Sequence, residues 1–141
     1  MNMFGPEASK RTPPIETALK MGLHVAAGTD SDQVSRFNPF VSLRWLLDGK
    51  VIDGTPMRGP EETPSREEAL RMHTINAAWF TFDEDKRGSL EPGKYADLAV
   101  LSDDYMTIPT ETVSELYSLL TLVGGNAVYA EGSFASFERN P

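Results

Sequence analysis

Apolar residues recur three or four positions apart in three stretches of the chain, which is the spacing of one face of a helix. The helices predicted from this spacing cover 15–21, 39–48 and 65–80. The third begins at a Ser-x-x-Glu capping box, Ser65 with Glu68, and is expected to break near Asn76. The proline-containing stretches 2–14 and 51–63 are predicted to be loops, the second being either a lid or a plain exposed excursion.

Two other patterns predict strands. Leu23–Ala27 is a short apolar run between two glycines, which is typical of a parallel strand buried on both faces. Beyond residue 86, glycine-rich turns separate short apolar stretches, and these predict strands over 95–101, 116–123 and 127–130. The glycines of Gly124–Asn126 favour a tight hairpin between the last two strands. The predicted fold class is therefore α/β plus β, with an α/β part over 1–85 and a β module over 86–141.

Composition removes several classes of function. The chain has 141 residues, about one domain, and its 40% hydrophobic content is typical of a globular protein. Its net charge of −8, without a Lys/Arg-rich run, argues against a nucleic-acid or anionic-membrane surface. No apolar run approaches the roughly 20 residues of a membrane helix, and 1–14 lacks the pattern of a signal peptide. Because cysteine is absent, no disulfide is possible, and a cytoplasmic location is expected.

Asp30 is the candidate functional residue that this pattern indicates. It stands just beyond the predicted strand Leu23–Ala27. In parallel α/β folds, ligands bind outside the carboxyl ends of the strands, so a carboxylate there has a functional interpretation. Asp and Ser after Gly28 and Thr29 are also ordinary turn and cap residues. Position alone therefore leaves a structural role for Asp30 open.

Four motifs, in this order, resemble the last third of a metal-dependent amidohydrolase, nearest to the branch that includes formamide-deformylase-like enzymes. They are Gly22–Asp32 with Asn38–Phe40, Ser65–Leu70 with Thr74–Ala78, Gly88–Leu101, and Leu122–Tyr129. The resemblance implies that Leu23–Ala27 is the eighth strand of a (β/α)8 barrel. It also implies that 1–85 is the C-terminal portion of that barrel and that 86–141 is the C-terminal part of a small β-sandwich.

The resemblance also implies a function, namely hydrolysis of carbon–nitrogen bonds other than peptide bonds in a small amide-like substrate. The cofactor it implies is a divalent metal, with zinc as the expected ion. Asp30 matches the acid that follows the last barrel strand, so it is expected both to help bind the metal and to accept a proton from the hydrolytic water. The family's other ligands, histidines and a mid-barrel acid or modified lysine, have no counterpart in this sequence. The isolated chain is therefore expected to be inactive and to hold no metal.

The two histidines are not expected to replace those ligands. His24 lies six residues from Asp30, roughly 20 Å along a strand. His73 is expected to pack inward on its helix, since no second histidine stands two or four positions away. Three polar residues are candidates for shaping the rim of the site: Asp32, Arg36 and Asn38. Two acidic runs are interpreted as surface or turn residues: Asp83–Asp85 and Asp103–Asp104.

A noncatalytic β-rich interaction or assembly module remains an alternative to the hydrolase. With either function, the predicted strand Leu23–Ala27 would lack partners on both edges, and a small sheet alone is marginally stable in water. A large apolar interface is therefore expected, formed either in a homo-oligomer or with the rest of the enzyme.

Overall fold

A computed structural model of the chain describes residues 5–31, 37–51 and 53–137. Its α-helices are Gly5–Lys10 (α1), Ile15–Lys20 (α2), Pro39–Asp48 (α3), Arg66–His73 (α4) and Ile75–Phe80 (α5). Its strands are Leu98–Leu101 (β1), Ser118–Val123 (β2) and Asn126–Ala130 (β3). Short 3-10 helices cover Pro60–Glu62, Thr110–Glu115 and Gly132–Phe137. None of the helices in these ranges is long and apolar enough to cross a membrane.

Local signals explain the three predicted helical stretches, which the structure confirms. Helix α3 begins after Asn38, whose side chain accepts a hydrogen bond from the Phe40 N–H, and it ends at Gly49 in the left-handed conformation. The capping box of Ser65 and Glu68 is complete in both directions at the start of α4. The predicted break lies between α4 and α5.

The prediction of a loop over residues 2–14 is wrong where α1 forms. A proline is tolerated in the first turn of a helix, where its missing N–H removes no helical hydrogen bond, so Pro6 does not prevent this helix. An exposed ion pair between Glu7 and Lys10, 2.8 Å apart, joins positions i and i+3 on its surface. The Thr12 hydroxyl donates to the Ala8 carbonyl at its end.

The β module forms an antiparallel sheet in the order β1-β2-β3. The predicted hairpin joins β2 and β3, and Gly124 and Gly125 both have positive φ, which glycine adopts without steric cost. The Gly124 N–H donates to the Asp97 carboxylate at 2.7 Å, so the hairpin is also tied to the start of β1. The sheet therefore confirms three short strands, although β1 begins at Leu98 rather than at Tyr95.

The predicted buried strand over Leu23–Ala27 is wrong within this chain. The segment is neither helix nor strand, and Leu23 is 55% exposed. A strand exists only where a neighbouring strand accepts and donates its backbone hydrogen bonds. Here the Leu23 N–H donates to the Ala18 carbonyl and the Ala27 N–H to the Met72 carbonyl, so helices provide these partners.

The hydrophobic core draws on helices and on the region after residue 86. Its buried members are Ile15, Leu43, Leu46, Ala69, Met72, Tyr105, Val113 and Leu116. Helix α3 packs against the 3-10 helix Thr110–Glu115, which brings the two regions together. The assignment of 1–85 to a barrel and of 86–141 to a β-sandwich stays a prediction.

The described residues of the loop predicted over 51–63 form no α-helix or strand, apart from the 3-10 helix Pro60–Glu62, and two of their charged side chains are buried. Arg58 is 4% exposed, and its guanidinium donates to the carbonyls of Trp45 and Leu46 near the end of α3. Glu62 is 2% exposed, and its carboxylate accepts from both the N–H and the hydroxyl of Thr17 in the first turn of α2. The loop therefore caps two helices and is not a plain exposed excursion.

We expect Glu62→Gln to lower the melting temperature at pH 7, and the loss to shrink in acid. The Thr17 hydrogen bonds hold the pKa of the Glu62 carboxyl below its ordinary value. A carboxyl with a depressed folded-state pKa stabilises the fold above its unfolded pKa of about 4.3, and that stabilisation disappears as the pH falls through the folded value. Thermal melts from pH 7 to pH 3 measure this.

Glu61→Gln is the matched control, because Glu61 is the exposed neighbour of Glu62. It should leave the melting temperature nearly unchanged throughout. Equal effects of the two substitutions at pH 7 would show that the Glu62–Thr17 contact contributes nothing to stability.

Candidate active site

Asp30 lies at the end of the irregular segment with its side chain exposed to solvent. Its backbone φ is 48°, in the left-handed region, which is uncommon for residues other than glycine and several-fold enriched in Asp and Asn. Within 5–31, 37–51 and 53–137, its carboxylate has no hydrogen-bond or ion-pair partner. Asp30 is therefore an open carboxylate in an unusual backbone conformation, which is a combination found at functional sites.

Helices α4 and α5 hold the backbone that leads to Asp30. The Asn76 side-chain amide, in the first turn of α5, donates to the Val25 carbonyl at 2.9 Å. The Ala27 N–H donates to the Met72 carbonyl in the last turn of α4 at 3.0 Å. Two backbone groups just before Asp30 are thus paired with neighbouring helices.

Helix α3 provides a third contact through Ser42. Its hydroxyl lies 3.3 Å from the Gly28 carbonyl and 3.1 Å from the His73 Nε2. Burial lowers the pKa of His73, which favours the neutral imidazole at pH 7. His73 therefore packs between helices as expected, and its described hydrogen-bond partner is a hydroxyl.

His24 lies on the surface, where its ring stacks on Trp79. The two ring centroids are 3.9 Å apart and the planes differ by 2°. Phe80 meets the same indole edge-on at 5.1 Å. His24 thus takes part in an aromatic contact between the irregular segment and α5.

The other residues singled out in the sequence have local roles or lie outside the described part. Asn38 caps α3, while Asp32 and Arg36 lie outside the described residues. The acidic pair at 103–104 is exposed as predicted, whereas Asp83 and Glu84 in the other run are half-buried. The Asp83 carboxylate pairs with Lys86 and Arg87. The acidic pair at 103–104 accepts N–H groups of its own turn.

A complete metal site does not fit the described residues. Across 5–31, 37–51 and 53–137, no three His, Cys, Asp or Glu side chains are close enough together to hold an ion. A tight zinc site takes three or four protein ligands. Asp30, with its open carboxylate, could provide one of them.

Comparison with known proteins decides the family. The model of the amidohydrolase family matches residues 1–129 of this chain. The chain belongs to the amidohydrolase family. The resemblance inferred from the four sequence motifs is thereby confirmed.

Two kinds of curated relative match this amidohydrolase chain. An N-substituted formamide deformylase from Arthrobacter pascens is 32% identical over 112 residues, which is 79% of this chain and 20% of the relative. A 5-methylthioadenosine/S-adenosylhomocysteine deaminase from Thermoanaerobacter pseudethanolicus is 31% identical over 93 residues, 64% of this chain and 20% of the relative. The chain thus spans about a fifth of the length of these relatives.

A solved structure shares the fold of this amidohydrolase chain. It is the crystal structure of an amidohydrolase from Thermotoga maritima, with a TM-score of 0.60 and 24% sequence identity. The match covers 90% of this chain and 30% of the other. It therefore supports the arrangement of helices and sheet described above over nearly the whole chain.

Sequence reasoning singled out Asp30 but gave no role to Ser42 or Asn76. Asn76 lies in the Thr74–Ala78 motif, so a signal for its importance was present. The sequence contains no comparable signal for Ser42, which lies within a predicted helix and outside the four motifs.

Proposed function

We propose that this chain is the C-terminal part of a metal-dependent hydrolase that acts on carbon–nitrogen bonds other than peptide bonds. In this proposal Asp30 contributes one metal ligand and accepts a proton from the hydrolytic water. The observation that carries the proposal is the exposed Asp30 carboxylate, which has no partner among the described residues and stands after a backbone held by three helices. An ionised carboxylate within reach of a water is a suitable general base.

The named relatives support the type of bond. One is named as a deformylase of N-substituted formamides and another as a deaminase of 5-methylthioadenosine or S-adenosylhomocysteine. Both names describe cleavage between carbon and nitrogen. A small molecule with an amide-like or amidine-like centre is therefore the proposed substrate class.

The remaining ligands, and much of the apolar contact, would come from polypeptide other than these 141 residues. Large side chains at the start of the segment before Asp30 and on α5 are exposed, including Met21 at 71%, Leu23 at 55% and Phe80 at 52%. The β-hairpin also exposes Val123 and Val128. Apolar area of this kind is typical of an interface. We propose that the rest of the enzyme covers it, completing a barrel over 1–85 and a sandwich over 86–141, or that copies of the chain do so.

Hydrolysis and metal analysis test this function together. The complete enzyme should release amine from N-substituted formamides or ammonia from aminopurine nucleosides, and a chelator should abolish the release. The 141-residue chain alone should show neither the activity nor a stoichiometric metal, because it offers one candidate ligand.

Two results would overturn the proposal in different ways. A metal-loaded complete enzyme that releases neither amine from N-substituted formamides nor ammonia from aminopurine nucleosides would favour the noncatalytic assembly module. One tightly held metal per isolated chain would show that the ligand set is already complete within it.

A further inference from the structure

The break between α4 and α5 makes two polar groups available to the segment before Asp30. Thr74 has φ −123° and ψ −98°, outside the helical region, so the helix stops at His73 and restarts at Ile75. In an unbroken helix the Met72 carbonyl would accept the N–H four residues later. At the break it accepts the Ala27 N–H instead, at 3.0 Å.

The restart of the helix also places Asn76. It lies in the first turn of α5, and its side-chain amide donates to the Val25 carbonyl at 2.9 Å. From α3, the Ser42 hydroxyl reaches the Gly28 carbonyl, two residues before Asp30. His73 Nε2 in turn contacts the same hydroxyl. The backbone of 25–28 is therefore held by side chains on two helices.

These contacts matter because no described strand pairs with the segment. Val25 and Ala27 pack against the core, while Leu23, Ala26 and Gly28 are exposed. Apolar burial alone therefore leaves the segment's final residues weakly restrained. The hydrogen bonds to the Val25 and Gly28 carbonyls restrain the last residues of the segment, directly before Asp30.

We propose that Asn76 and Ser42 are positioning residues for Asp30. They hold the Val25 and Gly28 carbonyls, and through them they fix the place of the Asp30 carboxylate. This inference rests on the proposed function of Asp30 as ligand and proton acceptor. Neither residue is expected to touch the substrate.

A double-mutant cycle in the complete enzyme tests Asn76. Asn76→Asp keeps the shape but replaces the donor that faces the Val25 carbonyl with an acceptor. It should lower kcat by about 10- to 100-fold, the cost of a small misplacement, with KM changed less than about twofold. In an Asp30→Asn background the same substitution should have little further effect, because the group it positions is already lost.

Asn126→Asp is the matched control for this cycle. Asn126 is exposed in the β2–β3 hairpin, and its side-chain amide also donates to a backbone carbonyl, that of Gly124. It should leave kcat unchanged. An equal loss from Asn76→Asp in the presence and absence of Asp30, or no loss at all, would overturn the positioning role of Asn76.

A second pair of variants tests Ser42 and keeps the inference falsifiable if Asn76→Asp fails to fold. Ser42→Thr keeps the hydroxyl, and Ser42→Val has nearly the same shape as threonine without it. The valine variant should lose about fivefold or more in kcat, the effect of one hydrogen bond, and threonine should restore it. Equal rates in the two variants would contradict the role of Ser42.

Amide hydrogen exchange separates this inference from the proposed function. In the 141-residue chain, the Ala27 amide should exchange about fivefold faster in Ser42→Val than in Ser42→Thr, if the hydroxyl holds the segment. Equal exchange would overturn the positioning role whatever the activity. Full activity of Asp30→Asn would instead overturn the proposed function. The exchange rates would then still show whether the Ser42 hydroxyl holds the segment.

Discussion

Replacing Asp30 with asparagine should reduce kcat of the complete enzyme by about 100- to 10,000-fold, the range of general-base catalysis. The amide keeps the shape of the carboxylate but cannot accept a proton. The fold should be unaffected, because the Asp30 side chain is exposed and has no partner among the described residues. Steady-state hydrolysis rates, with thermal melts of the same preparations, measure the two effects separately.

Asp85→Asn controls for the loss of one negative charge. Asp85 is an exposed acid in the run after α5, and the structure gives its side chain no described partner. Its replacement should leave both kcat and the melting temperature unchanged. A rate for Asp30→Asn within a factor of two of the Asp85→Asn rate would make Asp30 an ordinary turn residue.

Truncating Leu46 to alanine should destabilise the chain by about 2–5 kcal/mol. Leu46 is 1% exposed on the inner face of α3, in the cluster that includes Met72 and Val113. The substitution removes buried methyl groups and leaves a cavity that close-packed neighbours fill only partly. The Arg58 contact to the Leu46 carbonyl involves the backbone and remains possible. Urea denaturation at a fixed protein concentration measures the change.

Leu70→Ala is the matched control, because Leu70 is the same residue type on α4 but is 37% exposed. Its loss should be clearly smaller, since less of its area leaves water on folding. Equal shifts of the urea midpoint for the two variants would contradict the core as described.

Helices α2 to α5 could be predicted because their signals are local. Ser65 and Glu68 lie within one turn of each other, and Pro39 and Gly49 mark the ends of α3. The β2–β3 hairpin was predictable for the same reason, from two adjacent glycines. Each of these elements depends on residues a few positions apart.

Apart from the missed helix α1, the errors concern contacts between distant parts of the chain. Leu23–Ala27 has the composition of a buried strand, but no described strand lies beside it to pair with its backbone. Glu62 has the appearance of a loop acid, but it is buried where it accepts hydrogen bonds from the N–H and the hydroxyl of Thr17, 45 residues earlier. Burial of this kind leaves no periodic pattern in the sequence.

In the candidate site, too, local features could be predicted and contacts between distant residues could not. Asp30 could be singled out as a candidate because it follows an apolar run and matches a motif of the family, and both signals lie in the nearby sequence. The roles of Ser42 and Asn76 depend on contacts to carbonyls 14 and 51 residues away, which no spacing rule indicates. The helix break was expected near Asn76. Only the structure shows that the Met72 carbonyl, freed by this break, accepts the Ala27 N–H.

Absorption spectroscopy of a cobalt-loaded Asp30→Cys variant of the complete enzyme tests the central proposal most directly. The 141-residue sequence contains no cysteine, so the substitution introduces its first thiolate, and a thiolate ligand gives a sulfur-to-cobalt charge-transfer band. We expect this band in Asp30→Cys and not in Asp85→Cys. Cobalt bound without the band in Asp30→Cys would contradict the assignment of residue 30 as a metal ligand.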